Sequence, residues 1–376
     1  VFGIPVHSVL LMPTREEAIN YPRRDLELAF CPSCGFIQNV RFDPEVHRYS
    51  TQYEPTQAFS PTFSGWATKL VKLMVEQYGC HHQTVVEIGC GKGEFLYELC
   101  KVGQNRGIGI DPAVIPELIG DLDGQIEWIA DFYEAHTART QGADTVVSRH
   151  TLEHIENVGA FTELTRRNMR EGALFFMEIP DMRRILEEFA FWDIYYEHAS
   201  YFTQGSMGRL YRQMGFKPLA NYRDYGEQYL MLFATASTPA EAEAVPMLAG
   251  EDDLSEIRQL VLGFRNQIAA RLAGWRRQIE GYQDEGKRMA IWGGGSKGVS
   301  FLTTLGIGDE IPYAVDINPR KQGHFMPGSG HQVVSPRFMR DYRPDVIFVM
   351  NPVYTPEIRR TLADLGLEPK LIPVGV

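Results

Sequence analysis

The chain has 376 residues, of which 44% are hydrophobic, enough for two or three domains with sizeable cores. Its formal net charge of −11 and the lack of a basic tract argue against nonspecific nucleic-acid binding, which depends on neutralising phosphates. No apolar run is long enough to span a bilayer, Val1 to Pro13 lacks the flanks of a signal peptide, and five cysteines do not suggest a disulfide framework, so a cytoplasmic protein without a membrane partner is expected.

Residues 1–60 read as a small mixed segment around Cys31-Pro-Ser-Cys34-Gly35. Two cysteines at this spacing are half of a tetrahedral zinc site. No second pair precedes them; His7 and His47 are the other available ligands, and a plain turn is the alternative reading.

Residues 61–236 alternate strand and helix signals. Val85-Val-Glu87-Ile-Gly89-Cys-Gly91-Lys-Gly93 reads as a buried strand turning sharply into a helix over Phe95 to Leu99. Glycine tolerates positive φ and lets a ligand lie against the backbone. Such a turn sits at the carboxyl end of a strand, where open α/β sheets bind ligands. The order is E-x-G-x-G-x-G, not the G-x-G-x-x-G of a dinucleotide fingerprint. The next strand, Gly107-Ile-Gly-Ile-Asp111, ends in an acid whose two oxygens can accept both ribose hydroxyls. Asp131 follows a third strand signal at Trp128-Ile-Ala, and Asp144 to Val147 reads as a fourth. Its exit loop, Ser148 to His154, carries Arg149 and His150. Taken singly, each acid could be a turn residue or a cap.

Leu174 to Met177 is another buried strand, and Tyr195-Tyr-Glu197-His198 follows an apolar, acidic helix. Histidine titrates near neutral pH, so His198 can take a proton from a substrate. Glu197 could raise its basicity or bind a sugar hydroxyl, and Tyr195 could donate to an oxyanion. A packed, hydrogen-bonded histidine is the alternative, and His150, Glu153 and His154 compete for the role.

Residues 237–286 read as a linker rich in Ala, Pro, Glu and Thr, then a long charged helix from Leu254 to Gln283 suited to packing two halves together. Residues 287–376 form a second α/β unit. Its strand Met289 to Trp292 runs into Gly293-Gly-Gly295-Ser296-Lys297-Gly298, a match to G-x-G-x-x-G, and Asp316 ends the next strand. Alone, this unit suggests an NAD-dependent oxidoreductase or a nucleotide-binding regulator. A nucleotide diphosphate fits the same physics, because a helix N-terminus behind a glycine turn binds phosphate.

The E-x-G-x-G-x-G turn followed by Asp111, Asp131 and the fourth strand resembles motif I and its successors in class I S-adenosylmethionine (SAM) methyltransferases. That resemblance implies a Rossmann-like α/β domain with Glu87, Gly89, Gly91, Gly93, Asp111, Asp131, Arg149 and His150 around SAM. Asp131 would meet the adenine amino group. Over nearly the whole length the chain resembles the TylC3-like sugar C-methyltransferases. The shared features are Cys31/Cys34, the motif I glycines, Tyr195/Glu197/His198, Lys297 in its glycine turn, and Asp316-Ile-Asn-Pro-Arg-Lys321-Gln before Pro327-Gly328.

The resemblance implies an α/β protein in three parts: a small zinc-type N-terminal domain covering the site, a Rossmann-like SAM domain, and a C-terminal Rossmann-like α/β domain holding a nucleotide sugar. Tyr53, Gly295, Ser296, Lys297, Asp316 and Lys321 would bind that substrate. It also implies a mechanism, in which His198 removes the C3 proton of a 4-keto-deoxysugar. Tyr195, assisted by Tyr53, would hold the enolate oxygen, Glu197 would orient His198 or the sugar, and the enolate carbon would take the SAM methyl. The family has two cysteine pairs where this chain has one, and its Tyr- and Ser-rich loop is replaced by Tyr53-Glu-Pro-Thr-Gln-Ala-Phe-Ser60. O- or N-methylation of a sugar or other small molecule stays open, as does the choice between monomer and dimer.

Overall fold

The computed structural model describes residues 3–46 and 53–375. Seven strands make the larger sheet: β1 (Thr84–Ile88), β2 (Arg106–Ile110), β3 (Ile126–Ile129), β4 (Thr145–Arg149), β5 (Leu174–Pro180), β6 (Phe216–Asp224) and β7 (Tyr229–Ala236). Their spatial order is β6-β7-β5-β4-β1-β2-β3, and only β7 runs against the others. The central strands are apolar on both faces, as strands covered by helices on either side must be. Val85, Val86, Val146, Val147, Phe175 and Phe176 are all buried. Chain order reverses between β1 and β4, which opens a crevice at their carboxyl ends.

A second sheet holds β8 (Met289–Trp292), β9 (Tyr313–Val315), β10 (Gln332–Val334), β11 (Val346–Val349) and β12 (Lys370–Pro373). It is parallel throughout, in the order β10-β9-β8-β11-β12, with its own reversal between β8 and β11.

The N-terminal segment does not complete a sheet by itself. Its hairpin of Leu28–Phe30 and Ile37–Asn39 is extended by Ser200–Tyr201, which directly follows the His198 segment. One hydrophobic cluster then joins distant parts of the chain. It contains Ile4 and Ile37, Trp192 and Tyr196, Ile257 and Ile279, and Ile291 and Phe301. Ile257 and Ile279 lie near opposite ends of the helix Leu254–Asp284, so that helix binds both halves, as its apolar spacing predicts. Every residue from Ala190 to Thr203 is buried.

The stretch before that helix is not a loose tether. Buried Arg212 donates to the carbonyls of Ala242, Val245 and Pro246 and pairs with Glu251 at 2.7 Å. A composition that reads as a linker is therefore fastened by one guanidinium. No helix among the described residues is long and apolar enough to cross a membrane.

Candidate active site

At the end of β1 the chain turns through Gly89, Gly91 and Gly93 with φ of +72°, +55° and +88°. A Cβ on Gly89 would meet Thr151 Oγ1 at 1.9 Å, and one on Gly93 would meet the Trp128 ring at 2.6 Å. At Gly91 nothing lies within 4 Å. Two glycines thus serve close packing, and the middle one presents bare backbone to open space. Asp111 braces the turn: Oδ2 accepts from Gly91 N at 2.9 Å and Oδ1 from Ala113 N at 2.7 Å. Burial raises its carboxyl, while those two N–H groups and Lys92 pull the other way. Each oxygen retains a lone pair for a ribose hydroxyl. The open wall at Gly91, the acid, and the N-terminus of the helix Glu94–Gly103 together fit SAM.

The other expected SAM residues divide. Glu87 is buried in β1, Oε2 has no hydrogen-bond partner among the described residues, and burial lifts its carboxyl to about 8. Arg149 is a buttress rather than an open ligand donor. Its guanidinium is bidentate to Glu178 at 2.9 and 3.0 Å and lies over the Phe95 ring at 4.1 Å. Asp131 is half-exposed and already pairs with His136 Nε2 at 2.9 Å.

His150 sits at φ +49°, with Nε2 2.8 Å from Glu178 Oε1 and Nδ1 3.4 Å from Glu153 Oε1. Burial alone would depress its pKa, but the two carboxylates outweigh that and lift the imidazole to about 9. Because the folded value lies above the ordinary 6.5, the ion-paired form stabilises the fold fully below pH 6.5, and that contribution is lost as pH rises through 9. The gap in melting temperature between wild type and His150→Asn, a residue that tolerates this backbone region, should accordingly narrow as pH rises through 9. A gap independent of pH would mean a neutral imidazole.

The buried 190–203 segment carries the histidine and its neighbours. The His198 ring meets the Tyr195 ring edge-on at 4.7 Å and the His154 ring at 4.9 Å. Its Nδ1 has no hydrogen-bond partner among the described residues. Burial, helped by the His150 cation and opposed by Asp193, pushes it down to about 3. It is therefore neutral at any working pH. His154 Nδ1 lies 3.0 Å from the Glu197 carbonyl, which only accepts, so the proton is on Nδ1 and Nε2 is a lone pair.

Glu197 does not orient His198 through its side chain. Its carboxylate turns to the N-terminal segment and accepts from Ser8 N, Ser8 Oγ and, at 3.0 Å, Tyr53 Oη. Burial raises Glu197 to about 7, against those hydrogen bonds. Tyr195 Oη donates to Asp193 Oδ1 at 2.8 Å.

The C-terminal turn repeats the SAM turn's construction. Asp316 Oδ2 accepts from Gly294 N at 3.1 Å and Oδ1 from Asn318 N at 2.8 Å. Lys321 lies 3.5 Å from Asp316 Oδ2. Gly298 is required for packing, since a Cβ there would meet the Gly293 carbonyl at 2.3 Å. Tyr53, Tyr195, His198, Gly295, Ser296, Lys297, Asp316 and Lys321 all line one cleft of about 290 Å³ between the N-terminal segment and the two sheets. The glycines of the first turn lie outside it, and His150 and Glu153 stand at its wall.

Sequence reasoning missed the residue that joins the two sides of this cleft. Asp193 accepts from Tyr195, from Lys297 Nζ at 2.7 Å and from Arg184. It stands two residues before Tyr195, which is a local signal, but Lys297 is 104 positions away. Gln228 and Asn351, which line the cleft behind Lys297, left no trace in the sequence pattern.

The expected zinc site gains no second pair of ligands among the described residues. Cys31 and Cys34 are free thiols, and among the described residues no group of three or more His, Cys, Asp and Glu side chains close enough to hold a metal includes them. Arginines hold the knuckle instead: Arg209 Nε bonds the Cys34 carbonyl at 2.9 Å and Arg258 the Pro32 carbonyl at 3.1 Å. Two thiols beside a guanidinium do not make a four-ligand zinc site. His7 bonds Tyr21 Oη at 2.8 Å, and His47 lies outside the described residues.

Two family models match in tandem: a methyltransferase domain over residues 44–221 and a C-methyltransferase C-terminal domain over residues 229–368. C-methyltransferase NovU of Streptomyces niveus is 29% identical over 351 residues, covering 89% of this chain and 81% of its own. Among solved structures, the 1,6-didemethyltoxoflavin-N1-methyltransferase of Burkholderia thailandensis, with S-adenosylhomocysteine bound, is 14% identical, covers 48% of this chain and 84% of its own, and has a TM-score of 0.37. Magnesium protoporphyrin IX methyltransferase of Synechocystis PCC 6803, with bound SAM, is 15% identical, with 47% and 80% covered and a TM-score of 0.34. The two domains in this order, and a C-methyltransferase relative aligned across both, make the chain a SAM-dependent methyltransferase, similar over most of its length to a C-methyltransferase.

Proposed function

We propose that the enzyme methylates C3 of a nucleotide-activated 4-keto-deoxysugar through a base-generated enolate, with His198 as the base. One observation carries the reading: His198 and the C-terminal glycine turn line a single cleft. A sugar can then meet the histidine while its diphosphate lies at the N-terminus of the helix Ser296–Leu305. Asp316 would accept a ribose hydroxyl and Lys321 would add positive charge nearby. The C-methyltransferase relative favours carbon as the acceptor over oxygen or nitrogen. We read residues 61–236 as the SAM domain, 287–376 as the nucleotide-sugar domain and 1–60 as a cover tied to the site by hydrogen bonds to Glu197.

Bound SAM supplies an electrophilic methyl group on a sulfonium sulfur. The chain must supply a base on one face of the sugar and a holder for the ketone oxygen. His198 enters neutral, with a lone pair ready. Burial makes it a weak base in the resting site; negative charge developing on a neighbouring oxygen works in the opposite direction and strengthens it.

The test is methyl transfer to a panel of nucleotide-linked 4-keto-6-deoxysugars, with NMR locating the new methyl. The expected product carries it on C3. A methyl on oxygen or nitrogen would remove the enolate mechanism and leave the enzyme class intact.

A further inference from the structure

A ketone oxygen that becomes an enolate must be met by hydrogen-bond donors already in place. The two tyrosines expected for that task have their protons in use. Tyr195 donates to Asp193 and Tyr53 to Glu197, and a phenol has one proton to give. An ammonium group has three. Lys297 places one on Asp193 Oδ2 at 2.7 Å and one on Gln228 Oε1 at 3.1 Å. Gln228 is fixed with its oxygen toward the lysine, because its amide pairs reciprocally with Asn351 at 3.0 and 3.1 Å. The lysine side chain is 22% exposed, against 9% for Asp193 behind it. It lines the same cleft as Tyr195 and His198.

We propose that the Lys297 ammonium is the catalytic group that holds the ketone oxygen during enolisation, with Asp193 and Gln228 as its positioning residues. This rests on the enolate reading above. In the step, His198 takes the C3 proton, the C–H electron pair becomes the C3–C4 double bond, and the carbonyl π pair moves to oxygen as negative charge facing Lys297. When C3 takes the methyl group the pair returns and the carbonyl is restored. Burial lowers the ammonium to about 8 despite Asp193, so it sits close to its own titration and can share a proton with the oxyanion. Asp193 thereby gains a purpose: it fixes Tyr195 beside His198 with one oxygen and a cation of the other domain with the second.

The test uses the full-length enzyme with S-adenosylhomocysteine in D2O and the panel member it methylates, following exchange of the C3 hydrogen. Lys297→Met should slow exchange by about 10²–10³-fold, with KM and inhibition by inorganic pyrophosphate changed less than about threefold. Lys297→Arg should recover part of the rate. SAM affinity checks that each variant is folded. Asp193→Asn should move the alkaline limb of the exchange rate to lower pH, because the ammonium loses its anionic partner. Retained exchange with weakened pyrophosphate inhibition would make Lys297 a diphosphate ligand and overturn the proposal alone. No exchange by the wild type would overturn the enolate reading and this proposal with it.

Discussion

Replacing His198 with alanine should lower kcat for methyl transfer by about 10²–10⁴-fold, the span that a positioned general base supplies, and leave SAM binding unchanged. The separation is expected because His198 lines the acceptor cleft while the first glycine turn lies outside it. His198→Asn offers a smaller change of volume in the same buried segment and guards against a packing effect. Isothermal titration with SAM, beside single-turnover methyl transfer, makes the distinction. If SAM affinity fell along with turnover in both variants, His198 would be a structural residue wedged between Tyr195 and His154, and the base assignment would be lost. Added imidazole should restore part of the alanine variant's rate, which no structural role predicts.

Replacing Asp111 with alanine should do the reverse and lower SAM affinity by about 100-fold, since hydrogen bonds to a charged group contribute about 1.5–3 kcal/mol each. The carboxylate does two things at once: it pins Gly91 N and Ala113 N, and it offers its remaining lone pairs to a ribose. Alanine loses both. Asp111→Asn keeps one acceptor oxygen and should fall between. At saturating SAM the rate of transfer should return toward wild type, because nothing about the acceptor cleft has changed. Unaltered affinity in the alanine variant would place the ribose elsewhere.

The repetition of this device at Asp316 bears on how the enzyme is organised. Both sheets close a glycine turn with an acid from the neighbouring strand, which takes one N–H from the turn and one from two residues further on. The same local physics leaves at each turn a carboxylate that could accept a ribose hydroxyl. What separates their roles is what surrounds them. The first turn is packed by Thr151 and Trp128, while the second opens onto the cleft that holds His198.

Much of this was written in local pattern. Apolar runs ending in acids or glycines marked β1, β2, β3, β5 and β8, and Gly89, Gly91 and Gly93 could be read as a ligand turn because only glycine accepts those φ values without strain. The periodic apolar positions of the helix Leu254–Asp284 announced that it packs on two sides. These features depend on neighbours in the chain, so spacing alone reveals them. The roles of charged side chains did not follow. Arg149 stood where a ligand contact was expected, yet its partner Glu178 comes from the adjacent strand. Glu197 adjoins His198 in sequence but points to Ser8 and Tyr53, and Asp193 acquires its meaning only when Lys297 arrives from the other sheet. A buried charge is settled by whichever opposite charge or donor the fold brings within about 3–4 Å, and no local pattern carries that information. The sequence by itself determined two Rossmann-like units, each with its glycine turn, and the stretch that holds His198; the tertiary structure alone decided which carboxylates hold which donors, because those partners come from distant parts of the chain.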